Sequence, residues 1–452
     1  MFIIKKIPKS TIKKIKKYQF KKGVLKGSVT VPGDKSISQR AAIIGLISIG
    51  NTIIEDILDS EDVFYTLKAV EALGANITIK KNKVIIKGVG LGNLISPKKP
   101  INMGNSGTGV RLLIGLVAGS NAIVTFYGDE SLSTRPMERI IKPLEKMGAK
   151  FISSKDKKLP ITVVGARFKG FTLPITYKTL VASAQVKSAI LLAALTSRGI
   201  TTVKEPIQSR TNTETMLLER GVEVNSKTAK SGVNIVKIKG AFLLKSSQII
   251  VPGDPSSAVF LTVATLITKN SNIVIKNVMN DNMRLKVFKV LIKMGGKINF
   301  IKKTKKTLDI MVKYSNLSNV SIPAKDSTAL IDEFPILSIA AACGKGKMSM
   351  KGLGELRYKE SNRFLAIEKG LKSCGVNIKA IKNNLEIIGE KTVLGGCEID
   401  SKNDHRIAMS FNILNLVSEK PIKIIGNNSI VTSFPSFFDT FKKLGISIKS
   451  NE

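Results

Sequence analysis

A glycine pattern repeated six times limits this 452-residue chain more than any other feature. An amphipathic segment leads to Gly, two further residues, and then a β-branched or aromatic residue. The glycines are Gly74, Gly148, Gly221, Gly295, Gly375 and Gly445, about 70–80 residues apart. Before each glycine, apolar residues fall at helical spacing, as at Met137, Ile140, Ile141 and Leu144; after it they alternate or are β-branched. Each glycine therefore reads as the left-handed end of a helix that feeds a strand.

A second series lies between these marks. Six runs rich in small and apolar residues begin near Ser36, Ser106, Ser183, Ser256, Glu333 and Asp404. They are apolar nearly all round, which predicts buried helices, and each opens on polar or charged residues suited to an N-terminus. Val-Pro-Gly-Asp occurs at Val31 and again at Val251, three repeats later. The pattern predicts an α/β chain of two similar domains with three repeats each. One covers residues 34–252; the other covers 253–452 and is completed by residues 1–33. If the buried helices run parallel, their N-termini gather on one face of each half. Two such faces opposed across a cleft would focus positive potential on anions.

The unusual residues sit at those helix starts. Gly33-Asp34-Lys35-Ser36 is followed one turn on by Arg40, a set suited to phosphate or carboxylate but equally to a capped helix with solvated charges. Gly104-Asn105-Ser106-Gly107-Thr108-Gly109 lets backbone N–H groups approach an anion, or simply packs tightly. A loop from Gly128 to Met137 carries Arg135. Ser183-Ala184-Gln185 opens the third buried helix, and Gln185 goes beyond what capping needs. Arg210 precedes another helix. Asp332 and Glu333 open the fifth, where an N-cap carboxylate is the plain reading. Lys359, Glu360 and Arg363 fall within one turn, where two cations are better explained with an anion between them. Asp404-His405-Arg406 opens the sixth.

Charge selects among function classes. The chain holds 72 Lys+Arg against 33 Asp+Glu, for +39, which invites a nucleic-acid reading. Only 12 of those cations are arginine, the lysines are spread throughout, and 6 Tyr with no Trp give no platform for stacked bases. A general lysine bias that draws in small anions is the better account. Against that background, Arg40, Arg111, Arg135, Arg363 and Arg406 all fall at helix starts. Lysine lacks the planar two-point contact that carboxylates and phosphates favour. Three cysteines fit free thiols in a reducing cytosol, and no apolar run is long enough to cross a bilayer. A single histidine, His405, argues against a histidine metal site. The Lys-rich start, Lys5 to Lys22, reads as a basic cytosolic arm, since presequences favour arginine.

In this order, Gly33–Ser36, Gly104–Thr108, Thr134–Met137, Ser183–Lys187, Lys359–Arg363 and Asp404–Arg406 resemble the 5-enolpyruvylshikimate-3-phosphate synthase family, class II branch. The likeness runs from about Gly27 to the C-terminus. It implies an inside-out α/β barrel of two domains, each with three βαβαββ units. It also implies transfer of the enolpyruvyl group of phosphoenolpyruvate to the 5-hydroxyl of shikimate 3-phosphate, with release of phosphate and without metal or organic cofactor. By the resemblance, Lys35, Ser36, Arg40, Ser183, Ala184, Gln185, Asp332 and Lys359 contact shikimate 3-phosphate. Lys35, Gly107, Arg135, Gln185, Arg363 and Arg406 hold phosphoenolpyruvate, with Asn105, Arg210 and His405 as further members of the site. Asp332 takes the hydroxyl proton; Glu360 and Lys35 serve proton transfer, Lys35 as a lysine among cations with a lowered pKa. A monomer in the cytoplasm, with no nucleic-acid or membrane partner, completes the expectation. Asn362, Asn212, Glu355 and Thr432 depart from one or other class of the family.

Two rivals remain at this stage. The sister enzyme acting on a UDP-amino sugar carries a cysteine in the loop matching Gly128–Pro136, where this chain has none. A basic ribosome- or RNA-binding repeat protein predicts salt-sensitive binding instead of turnover.

Overall fold

A computed structural model describes residues 18–450 except 81, 82, 169, 241 and 242. The Lys-rich start up to residue 17 therefore lies outside the described residues. The six small-residue runs are helices Lys35–Ile47, Gly107–Ala118, Ala184–Ala194, Pro255–Ile267, Phe334–Ala342 and His405–Leu414. The six repeat glycines follow helices Glu61–Ala72, Glu138–Lys146, Asn212–Leu218, Lys286–Lys293, Arg363–Ser373 and Phe437–Lys443. All six take positive φ, from 83° to 114°, a region that side-chain-bearing residues avoid.

The described residues form two compact units, residues 35–251, and residues 18–34 with 252–450. The first unit holds three four-stranded sheets built alike. In one, Ile101–Asn102 runs parallel to Ile123–Tyr127, which pairs antiparallel with Ile161–Val164, itself antiparallel to Lys150–Ser153. The buried helix Gly107–Ala118 is the crossover that a parallel pair requires. Thr176–Lys178 opens a second such sheet, and Gln248–Ile250 supplies the parallel edge of the third beside Asn51–Glu55. Helices Gly107–Ala118 and Ala184–Ala194 run parallel and very close. A side chain at Gly115 would strike the backbone of Ala189, and one at Gly119 that of Ala193.

The second unit repeats the plan with substitutions. Lys26–Thr30 runs parallel to Asn272–Met279, so the chain's early strand completes a sheet of the second half. In the next repeat the parallel edge shrinks to bridges from Ser318 to Lys345 and from Ile322 to Met350. In the last, Glu398–Asp400 pairs parallel with Lys423–Ile425, and Tyr18–Phe20 pairs antiparallel with Ile448–Ser450. Asn415 and Asn427 donate to the carbonyls of Phe20 and Tyr18 at 3.0 and 2.9 Å, and the Phe20 ring packs on Phe437, Phe438 and Phe441.

Each unit thus has its helices inside and its sheets outside, the inside-out α/β arrangement. The three cysteines are free, with Cys374 and Cys397 sulfurs 3.3 Å apart; burial pushes the Cys343 thiol up to about 12. Among the described residues no helix is long and apolar enough to cross a membrane, and no cluster of His, Cys, Asp and Glu could hold a metal ion.

Candidate active site

In the first unit the three buried helices bring their N-termini together. Gln39, on the first, donates to Ser106 Oγ at 2.6 Å at the start of the second, and Gln185, on the third, donates to Thr108 Oγ1 at 2.9 Å. Ser106 therefore does not cap its helix; its hydroxyl receives Gln39 instead. Ser183 does cap, accepting from the Val186 N–H at 3.4 Å, and Ala184 is the first residue inside.

Arg40 is buried. Its Nε donates to Thr213 Oγ1 at 2.7 Å, Nη2 to Ser188 Oγ at 3.1 Å and Nη1 to the Ser36 carbonyl at 3.2 Å. Three neutral acceptors fix the orientation of the guanidinium. Lys35 Nζ lies 2.9 Å from Asp62 Oδ2. The expectation of a lysine among cations is corrected here, because the partner is a carboxylate from the next helix.

Arg135 is buried as well. Its Nη2 donates to Asn105 Oδ1 at 2.6 Å, and Asn105 Nδ2 in turn donates to Asp129 Oδ2 at 2.8 Å. Asp129 also accepts from the Leu132 N–H, which turns part of the expected loop into helix Glu130–Thr134. A Cβ at Gly107 would stand 2.7 Å from Arg135 Nη1. Gly107 is thus needed for the arginine's approach to the helix start.

Lys187, whose partner the sequence leaves open, is wholly buried between Glu205 Oε2 at 2.9 Å and Glu214 Oε1 at 2.7 Å. It also donates to the Ser209 carbonyl at 3.4 Å. Arg210 stands just before helix Asn212–Leu218.

The second unit gathers the charged cluster. Asp332 Oδ1 accepts from Lys359 Nζ at 3.1 Å and from Arg363 Nη1 at 3.4 Å. The anion that the Lys359/Arg363 spacing called for is therefore a carboxylate of the protein itself. Arg363 is almost fully buried. Its Nε donates to Asp404 Oδ2 at 2.8 Å, and its Nη2 bonds both Asp404 Oδ1 and the Glu360 carboxylate. Burial pulls the guanidinium pKa down, but Asp404, Glu360 and Asp332 outweigh it and hold the group above its ordinary value. Asp404 is pinned further by the Arg406 N–H at 2.9 Å, as a helix cap. Arg406 Nη1 donates to the Asp332 carbonyl at 2.8 Å. His405 Nδ1 lies 3.5 Å from Thr432 Oγ1.

Among the partners that escaped the sequence reading are Asp62, Ser188, Thr213, Glu205 and Arg284. The first three look like ordinary helix residues until the fold brings them to a cation. Arg284 carried a usable signal. It lies about a dozen residues before its repeat glycine, as do Arg135, Arg210 and Arg363.

Each unit thus carries fixed cations beside helix N-termini, and the second adds a carboxylate pair, Asp332 and Glu360, bridged by one arginine. Residues 20–441 match the family described as EPSP synthase (3-phosphoshikimate 1-carboxyvinyltransferase). A 3-phosphoshikimate 1-carboxyvinyltransferase of Bartonella quintana is 43% identical over 432 residues, 94% of this chain and 97% of that one. One from Zymomonas mobilis is 44% identical over 433 residues, covering 93% and 94%. Among solved structures, an EPSP synthase of Acinetobacter baumannii superposes with a TM-score of 0.83 at 37% identity, covering 96% and 99%. The enolpyruvyl transferase NikO of Streptomyces tendae, at 16% identity and TM-score 0.75, shares the fold. The chain belongs to the EPSP synthase family.

Proposed function

We propose that the chain transfers the enolpyruvyl group of phosphoenolpyruvate to the 5-hydroxyl of shikimate 3-phosphate and releases inorganic phosphate. The observation that carries the reading is Asp332 held between Lys359 and Arg363, with Glu360 on the same arginine. Such a set supplies a base, a second carboxyl for proton traffic, and cations for charge that develops in the reaction.

In this reading Lys35, Ser36, Arg40, Ser183, Ala184, Gln185, Asp332 and Lys359 bind shikimate 3-phosphate. Lys35, Gly107, Arg135, Gln185, Arg363 and Arg406 bind phosphoenolpyruvate, with Asn105 orienting Arg135 through its 2.6 Å bond. Two anions repel in solution, so neutralising both and fixing their geometry removes much of the barrier. Asp332 takes the proton of the attacking hydroxyl as its oxygen bonds to the enol carbon. A proton reaches the methylene from Glu360. The bridging oxygen then leaves with the phosphate, protonated by Lys35, and the Glu360 carboxylate takes a proton back from the new methyl group, which restores the enol double bond. Cations already held by carboxylates and amides need little reorganisation as charge shifts.

No step calls on a metal or organic cofactor, one chain supplies every residue named, and a monomer is the state we propose. We place it in the cytoplasm, where its free thiols stay reduced. Phosphate release should require both shikimate 3-phosphate and phosphoenolpyruvate. Release with a UDP-amino sugar as acceptor would favour the sister activity, and no release with either acceptor would defeat the reading.

Gly107→Ala should leave the fold intact and raise the KM for phosphoenolpyruvate, because the new methyl displaces Arg135 Nη1. The inhibitor glyphosate, expected to compete with phosphoenolpyruvate here, should lose more affinity than the substrate does. Unchanged glyphosate titrations in the variant would show that Gly107 does not border that site.

A further inference from the structure

Arg284 occupies, in its repeat, the place that Arg135 and Arg363 hold in theirs, yet the reaction as drawn above does not use it. Its side chain is 3% exposed. Nη1 lies 3.0 Å from Asp34 Oδ2, and Nη2 bonds Asp254 Oδ1. These are the aspartates of the two Val-Pro-Gly-Asp segments, tied by backbone bonds from Asp34 N to the Pro252 carbonyl and from Asp254 N to the Pro32 carbonyl. A lock on the two segments would account for these contacts.

A third contact is not explained that way. Arg284 Nη2 also donates to Ser256 Oγ at 2.9 Å, and Ser256 passes its own proton to Glu333 Oε1. The same Glu333 oxygen lies 3.6 Å from Arg406 Nη1. A serine hydroxyl has one proton to give and rotates to suit its partners. With a guanidinium N–H pointed at its lone pair, the Ser256 proton is directed at Glu333, and the carboxylate is held where it meets Arg406. The charges fit this order. Burial pulls the Arg284 pKa down, but Asp34, Asp254, Glu333 and Asp332 outweigh it and hold the guanidinium charged. Burial first, and then Asp34, push the Asp254 carboxyl above its ordinary range, against the pull of Arg284 and Arg406.

We propose that Arg284 is a positioning residue for the phosphoenolpyruvate clamp, setting the guanidinium of Arg406 through Ser256 and Glu333. The inference rests on the reading that Arg406 binds phosphoenolpyruvate. It assigns no contact between Arg284 and either substrate.

The decisive variant is Ser256→Ala, which cuts the link to Glu333 and leaves Arg284 on both aspartates. The KM for phosphoenolpyruvate should rise about tenfold, the KM for shikimate 3-phosphate should stay within about twofold, and the melting temperature should stay close to wild type. Ser256→Thr keeps the hydroxyl and should restore the phosphoenolpyruvate KM. Arg284→Lys retains charge but not the fork, and should raise the same KM while lowering the melting temperature. Equal rises in both KM values, or a fall in melting temperature with both KM values unchanged in Ser256→Ala, would reduce Arg284 to a structural lock and overturn the proposal. Wild-type phosphate release from the two substrates is the control. If it is absent, the functional reading fails and this inference with it; if it is present while Ser256→Ala behaves as wild type, only the inference fails.

Discussion

Lys35→Met is expected to lower kcat by about a thousandfold or more while the protein stays folded, since a positioned acid–base group commonly contributes about 10²–10⁴ and a charge-stabilising donor a comparable factor. Both roles fall on one ammonium group in the proposed reaction, and methionine keeps the length of the side chain without its charge. The structural cost is small by comparison. The Lys35 side chain is 18% exposed and its partner Asp62 11%, so their pair lies between the surface and buried limits. Losing it should cost about 1–3 kcal/mol, less than the stability of an ordinary domain. Phosphate release, together with circular dichroism and a melting curve, separates the two effects. A variant that melts as expected yet turns over within tenfold of wild type would remove Lys35 from the chemistry.

The difference between what sequence shows and what it hides has a physical basis in this chain. Helix positions were legible because burial is written in composition. A run such as Phe334-Pro335-Ile336-Leu337-Ser338-Ile339 offers no polar face to water as a helix, and a left-handed residue such as Gly375 must end one. The arginines at helix starts were legible because lysine is the default cation of this chain and arginine the exception. Partners were not legible. Asp62 sits in the first turn of a helix, where any acid is welcome, and nothing local says that it will meet Lys35. The anion between Lys359 and Arg363 was rightly called for by their spacing, but only the fold shows that Asp332, 27 residues before Lys359, supplies it. Side-chain pairing across elements is set by how the helix starts converge, and helical periodicity does not encode that.

Arg363 offers the sharpest contrast between the two cations. Four of its five N–H donors go to Asp404, Glu360 and Asp332, from a side chain that is 1% exposed. Arg363→Met leaves three carboxylates together with their shared counter-charge gone, and should cost about 3–5 kcal/mol as an uncompensated buried charge. Loss of activity in that variant would not by itself distinguish misfolding from a missing ligand. Arg363→Lys does make that distinction. The ammonium keeps the charge, so the carboxylates stay neutralised and the fold should survive with a lowered melting temperature. It has donors at one point only, so it cannot span Asp404 on two atoms while reaching Glu360 and Asp332. Asp332 and Glu360 should then lose their fixed separation, and the KM for phosphoenolpyruvate should rise by about 10–100-fold, equivalent to about 1.4–2.8 kcal/mol. Steady-state kinetics at saturating shikimate 3-phosphate reads this directly. If lysine serves as well as arginine in both KM and melting temperature, charge alone suffices at this position, and the preference for arginine at the helix starts has no bearing on how the anion is held.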